Sequence, residues 1–169
     1  MTKTRLLILV ALPLLLADCA TKRAAVAYLQ PPHTAHRVLG STVRLTLAFN
    51  QQAVMSLPVG TNARWLLIGT TVVVLVLLAR LLRATPATER ARALGLALLI
   101  GGASGNLLDR LTSSRGVVDF IDVGLGAWRF WTFNVADVGI SAGAALLAWA
   151  LWRGVARSPS ATGGGGVAT

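Results

Sequence analysis

Six acidic residues occur in the chain, and four of them, Asp109, Asp119, Asp122 and Asp137, fall in the stretch from Gly105 to Asp137. Asn106 and Arg110 open that stretch and Asn134 nearly closes it, in a sequence otherwise dominated by Leu, Val and Ala. A carboxylate beside lipid-facing sequence costs about 3 kcal/mol on insertion scales and generally marks function. The sequence has no Gly-x-Ser-x-Gly turn, no His placed to serve a Ser or Cys, and no metal-ligand cluster. Carboxylates are the chemistry that remains. Two close carboxyls cannot both ionise cheaply, so they share a proton and titrate as a unit. The ionised member takes a proton from water while the protonated one polarises a carbonyl, which is peptide hydrolysis. Asp119 and Asp137 are the expected pair, at the membrane surface. The same residues also admit a structural reading, with Asn134 as a helix N-cap and Asp137 at N3 favoured by the helix dipole. Arg110 would then merely pair with Asp109 or Asp122, and spacing alone leaves both readings open.

Helices at a membrane must position such a site, and the composition supplies them. The 169 residues are one domain's worth, and 54% of them are hydrophobic, with a mean hydropathy of +0.66 that belongs to membrane proteins. The net charge of +10 is scattered around apolar runs, with no basic, aromatic-interleaved face for nucleic acid. It is read instead as topology information and contact with anionic head groups. Cys19 is the single cysteine, which excludes an internal disulfide and a multi-Cys metal site. His33 and His36 are expected to be solvated loop residues, and neither a metal nor a cofactor is expected.

Taken in order, Lys3 and Arg5 precede an apolar run that resumes after Lys22 and Arg23 and reaches Leu29. Residues 6–29 span about 36 Å as a helix, so the run is read as a retained first span rather than a cleaved signal. Asp18 and Lys22, four apart, share a face of it and can pair. Pro31-Pro32 stops this helix. Val43, Leu45, Leu47 and Phe49 then alternate with Arg44, Thr46 and Ala48, the period of a half-buried strand. At its end, Asn50 can close a turn or reach a ligand, and spacing favours the turn. Further spans are read at 65–82, 92–108 and 134–152. Small residues at 101–105, Gly139 and Gly143 permit close helix packing. Val117 to Val123 reads as a second strand, and Trp128, Phe130, Trp131 and Phe133 as a belt at head-group level. The expected architecture is an all-α membrane fold of four transmembrane helices with a small extracytoplasmic β-rich portion. Residues 1–157 form its one domain, and 158–169, rich in Gly, Ser and Pro, a disordered tail. Eight Lys and Arg lie in residues 1–5, 80–92 and 153–169, and eight in the roughly twice longer 22–64 and 109–132. That density places both termini in the cytoplasm and the acidic stretch outside.

Asp18-Cys19-Ala20-Thr21-Lys22, Gly105-Asn106-Leu107-Leu108-Asp109-Arg110, Val117-Val118-Asp119-Phe120-Ile121-Asp122 and Phe133-Asn134-Val135-Ala136-Asp137 occur in this order. Together they resemble signal peptidase II, the lipoprotein signal peptidases, over roughly residues 5–152. The resemblance implies an aspartic endopeptidase of the bacterial inner membrane with Asp119 and Asp137 as its catalytic pair. It implies that Asn106 and Arg110 hold the lipidated substrate, that Asn134, Asp18 and Lys22 line or support the site, and that Asn50 contacts substrate. The implied substrate is a diacylglyceryl-modified prolipoprotein, cut before its lipidated cysteine. Its partners would be that substrate and membrane lipid, with no nucleic acid, and the protein would be a monomer. Two places depart from the family pattern: Cys19 stands where Gln is usual, and Asn50-Gln51-Gln52-Ala53-Val54-Met55-Ser56 lacks the usual glycine and aromatic. The rival readings are a catalytically inactive lipoprotein-binding homologue and a small proton-coupled transporter, although no internal repeat is visible.

Overall fold

In the computed structural model, residues 2–51 and 63–157 are described. The expected tail and the motif residues from Gln52 to Ser56 lie outside them. Among the described residues, four helices are long and apolar enough to cross a membrane: α1 (Lys3–Tyr28), α2 (Ala63–Ala84), α3 (Arg90–Thr112) and α4 (Val135–Arg157). Four strands, β1 (Ala35–Leu39), β2 (Val43–Asn50), β3 (Val117–Leu125) and β4 (Trp128–Arg129), form one antiparallel sheet in chain order. This is a membrane fold with a small β portion. β1 is an element the sequence reading did not contain, because its Ala35-His36-Arg37-Val38-Leu39 shows no apolar alternation.

Each helix runs past the stretch that hydropathy marks. α1 includes Lys3 and Arg5, since basic residues at a helix end can reach water while their backbone stays helical. Near its start the helix widens: the Leu12 N–H bonds to the Leu7 carbonyl, five residues back. This accommodates Pro13, which has no N–H to donate and crowds the preceding turn. α3 lies closest to α4, where Gly95 and Gly143 meet. A Cβ on either glycine would stand 2.8 Å from the other's carbonyl oxygen, so the backbones touch because neither residue has a side chain.

The sheet is mounted on the far end of α1. Ala25 and Leu29 pack with Leu47, Val118 and Phe120 in one buried cluster. β2 and β3 pair so that Ala48 faces Asp119 and Asn50 faces Val117. Gly116 precedes β3 at φ 91°, and a Cβ there would collide with the Asn50 backbone. A residue with both requirements must be glycine, and it fixes where the end of β2 lies against the start of β3.

Candidate active site

α4 begins with a reciprocal cap. Asn134 Oδ1 accepts the Asp137 N–H at 2.9 Å, and Asp137 Oδ2 accepts the Asn134 N–H at 3.1 Å. This is a capping box, so the structural reading of these residues is present in the molecule. It does not exhaust them. The fully buried Asn134 side chain also donates through Nδ2 to Asp119 Oδ1 at 2.7 Å and to Asn106 Oδ1 at 3.2 Å. Asn106 in turn donates to Asp137 Oδ1 at 2.8 Å. Two neutral amides therefore tie Asp137, at the start of a helix, to Asp119, in the middle of a strand.

Asp119 also accepts from Asn50 Nδ2 at 3.2 Å. Asn50 is the last residue of β2 and points its amide into the site, while the residues that would complete a turn after it lie outside the described ones. Asp119 is only 4% exposed. Burial raises its carboxyl pKa, the nearby Asp137 raises it further, and the amide hydrogen bonds only partly oppose them, leaving it at about 6. A carboxyl poised there can hold or release a proton near neutral pH.

Beneath the amides lies a buried ionic layer. Lys22, 3% exposed, reaches Asp18 at 2.7 Å, Asp109 at 2.9 Å and Asn106 Oδ1 at 2.9 Å. Three acceptors match the three hydrogens of an ammonium. Asp18 accepts the Ala136 N–H at 2.8 Å, and Asp109 the Val118 N–H at 3.1 Å. Through these two contacts α1 grips the first turn of α4, and α3 grips β3. Gly105 lets Asp18 in, since a Cβ there would overlap Asp18 Oδ2.

Arg110 lines a cavity of about 390 Å³ together with Asn50, Asn106, Asp119, Asp137 and, on α2, Thr70. Its side chain donates to the Asn106 carbonyl at 3.2 Å, and Arg64 on α2 holds the Arg110 carbonyl at 2.7 Å. Among the described residues Arg110 pairs with neither Asp109, which is taken by Lys22, nor Asp122, which binds Arg44 and Arg129. The fold thus brings all eight candidate residues into one connected region. Asn50, Asn106, Arg110, Asp119 and Asp137 line the cavity, while Asn134, Lys22 and Asp18 stand behind it. Asp109 belongs to the site as well, although it is not among the residues expected there. Its signal lies in the same motif, next to Arg110.

Four apolar helices carrying two amide-linked carboxylates at one end, against a small sheet, define a membrane protein with a carboxylate-lined cavity. The chain matches the family model described as signal peptidase (SPase) II over residues 10–153, and it belongs to that family. A protein named lipoprotein signal peptidase from Shigella flexneri serotype 5b (strain 8401) is 46% identical over 84 residues, 50% of this chain and 51% of its own length. The protein of the same name from Escherichia coli (strain K12 / DH10B) is 45% identical over 84 residues, with the same coverage. The chain spans about half the length of the curated relatives it matches. A solved structure described as a bacterial membrane enzyme superposes with a TM-score of 0.81 over 94% of both chains at 24% identity, a likeness of fold. A second structure so described gives 0.75 at 26% identity, over 86% of this chain and 91% of its own.

Proposed function

We propose that this chain is an intramembrane aspartic endopeptidase that removes signal peptides from diacylglyceryl-modified prolipoproteins, cutting before the lipidated cysteine. The observation that carries this reading is Asn134, which caps the helix bearing Asp137 and hydrogen-bonds Asp119 with the same side chain. Family membership and the names of the relatives support the substrate class.

In this reading Asp119, the carboxyl pushed up to about 6, holds the shared proton and donates it as a hydrogen bond to the scissile carbonyl oxygen. Asp137 removes a proton from water, and the resulting hydroxide equivalent adds to the carbonyl carbon. As the tetrahedral intermediate collapses, the proton taken by Asp137 goes to the departing amine of the lipidated cysteine. Asn134, Asn106 and Asn50 keep both carboxylates oriented without adding positive charge, while Arg110 offers N–H donors to substrate carbonyl or ester oxygens. Lys22, Asp18 and Asp109 hold the elements together behind them. Residues 1–157 act as one monomeric unit in the inner membrane, with both termini cytoplasmic and the site near the outer face.

The deciding experiment is incubation of the purified protein with a lipidated prolipoprotein. Appearance of the shortened product supports the proposal. Binding without cleavage would leave an inactive lipoprotein-binding homologue, and proton-coupled solute flux without either would favour a transporter. A reporter active only outside the cytoplasm should be silent at the C-terminus and active when inserted near His33; the reverse would invert the topology.

A further inference from the structure

A second cavity, of about 490 Å³, lies at the end of the bundle opposite the carboxylates and plays no part in the chemistry above. Its apolar wall is Leu6, Ala93 and Leu94 beside the buried Thr85, and its rim, the more exposed part of the lining, carries Thr2, Lys3 and Arg90. Leu6 and Ala93 belong to a buried cluster with Leu82, Leu96 and Ala97, so the wall is part of the packed bundle. Among the described residues no acidic side chain lines it. Lys3 is anchored by donating to the Arg83 carbonyl, and an ammonium held by one bond still has two hydrogens to give. The Arg90 side chain has no hydrogen-bond or ion-pair partner among the described residues, whereas its neighbour Arg92 is engaged by Glu89 at 3.1 Å.

We propose that this cavity binds an anionic phospholipid, with the phosphate between Lys3 and Arg90 and the start of an acyl chain against Leu6, Ala93 and Leu94. The argument is complementarity of two kinds in one place. The rim offers two cations with free donors and no competing carboxylate, and a phosphate diester is the anion that membrane depth supplies. Immediately below, the wall is apolar and faces the depth at which acyl chains begin. A free phosphate ion would satisfy the rim and leave the wall empty, so the lipid uses more of what is present. Because α1, the end of α2 and the start of α3 all border the cavity, a bound lipid would join three helix ends that otherwise meet through few polar contacts.

The test uses the full chain in a neutral detergent, with unfolding temperature followed as dioleoylphosphatidylglycerol, dioleoylphosphatidylcholine or inorganic phosphate is added. Phosphatidylglycerol should raise the midpoint saturably, and the other two should not. Lys3→Gln together with Arg90→Gln should weaken the apparent affinity by about tenfold or more, since both cations facing the phosphate are lost. Leu94→Trp, which keeps both cations and fills the cavity, should weaken it as well. Arg153→Gln, which removes a different cation, one that rests on Trp149, should leave it unchanged. An equal response to phosphatidylcholine, an equal response to inorganic phosphate, or unchanged affinity in the double variant would each overturn the proposal. None of these readouts involves cleavage, so the result stands apart from the peptidase reading.

Discussion

Asp119 and Asp122 lie three residues apart on the same strand, both nearly out of reach of water, and the fold treats them in opposite ways. An odd separation on a strand sends side chains to opposite faces, so Asp119 looks into the cavity and Asp122 away from it. Asp122 meets two guanidinia: Arg44 at 2.7 Å and Arg129 at 2.6 Å, with Thr46 adding a bond at 3.3 Å. Burial alone would raise its pKa, but the hydrogen bonds and charges of Arg129 and Arg44 outweigh burial and hold the carboxyl below its ordinary value. Among the described residues Asp119 takes its hydrogen bonds from amides alone and lies near a second carboxylate; the Lys22 charge acts on it too weakly to offset burial, and its pKa moves the other way, to about 6. Neutral donors orient a carboxylate without fixing its charge. Cations fix both. A carboxyl that must exchange protons needs the first environment, and one that pins β2 to β3 is better served by the second.

The sharpest way to break this contrast is to remove each carboxylate and measure cleavage. Asp119→Asn and Asp137→Asn should each lower turnover by about a thousandfold or more, and the double variant should be scarcely worse than either, because the pair acts as a unit. Asp122→Asn should stay within a few fold of the parent whenever the protein is folded. Near-normal turnover in either member of the pair would remove it from the catalytic role.

Stability should invert that order. Asp122→Asn leaves two partly buried guanidinia facing a neutral amide, at a cost of about 2 kcal/mol after discounting for their exposure. Asp119→Asn removes a carboxylate whose burial is only partly compensated by its amide donors. A shift from 3.8 to about 6 corresponds to roughly 3 kcal/mol of destabilisation at neutral pH. Part of the relief is lost because the new amide faces the Asn134 and Asn50 donors, so the expected net gain is about 1 kcal/mol. Unfolding midpoints in neutral detergent at pH 7.5 should therefore rise for Asp119→Asn and fall for Asp122→Asn. Midpoints that move the same way would show that the two environments do not differ as argued.

The pH dependence follows with opposite signs. Asp119 has a folded pKa above its unfolded value, so the folded state binds a proton that the unfolded chain has lost between 3.8 and about 6. Its contribution grows more unfavourable as pH rises through that window and is constant above it. Asp122 has a depressed pKa, so its stabilisation is complete above the unfolded value and is lost as pH falls below it. For catalysis, Asp119 gives up its proton near pH 6 in the free protein. The value of kcat/KM, which reports the free enzyme, should fall as pH rises beyond that point, approaching tenfold per unit. A profile flat from pH 5 to 8 would contradict the proton-sharing pair.

Much of this arrangement was legible in the sequence, and what was missed has geometric causes. The four long helices follow from apolar runs, and the strand at 43–49 from its alternation, because one-dimensional periodicity carries both. Their ends do not follow, since Lys3, Arg5 and Arg110 lie on helices that hydropathy cuts short. Asp109 and Arg110 are adjacent, which invites the idea that they pair. Consecutive residues on a helix diverge by about 100°, so Asp109 turns to Lys22 on α1 while Arg110 faces the cavity. Asn-Gln-Gln at a strand end suggests a turn at Asn50, and the residues beyond Gln51 that would form it lie outside the described ones. The Asn50 amide also reaches Asp119, 69 residues away, and a pairing register of that span is written in no local pattern.

Arg110 supplies the smallest of the expected effects and extends the contrast to a cation. Arg44 and Arg129 are engaged by Asp122, whereas Arg110 lines the cavity with Asp119 and Asp137 and, among the described residues, makes one side-chain hydrogen bond, to the Asn106 carbonyl at 3.2 Å. A guanidinium in this position keeps further N–H donors in a fixed plane, suited to carbonyl or ester oxygens, and a lysine ammonium cannot reproduce that fork. If Arg110 holds substrate, Arg110→Lys should raise KM by about three- to tenfold, the net worth of about one ordinary hydrogen bond, since lysine keeps the charge. The pH profile set by the carboxylates should keep its shape, because the positive charge remains. If Arg110 serves only as a nearby charge, lysine would preserve KM and kcat alike. A variant with unchanged KM and a displaced pH profile would instead assign Arg110 to tuning the pair, and the distinction between cations that fix a carboxylate and one that leaves it free would have to be drawn elsewhere.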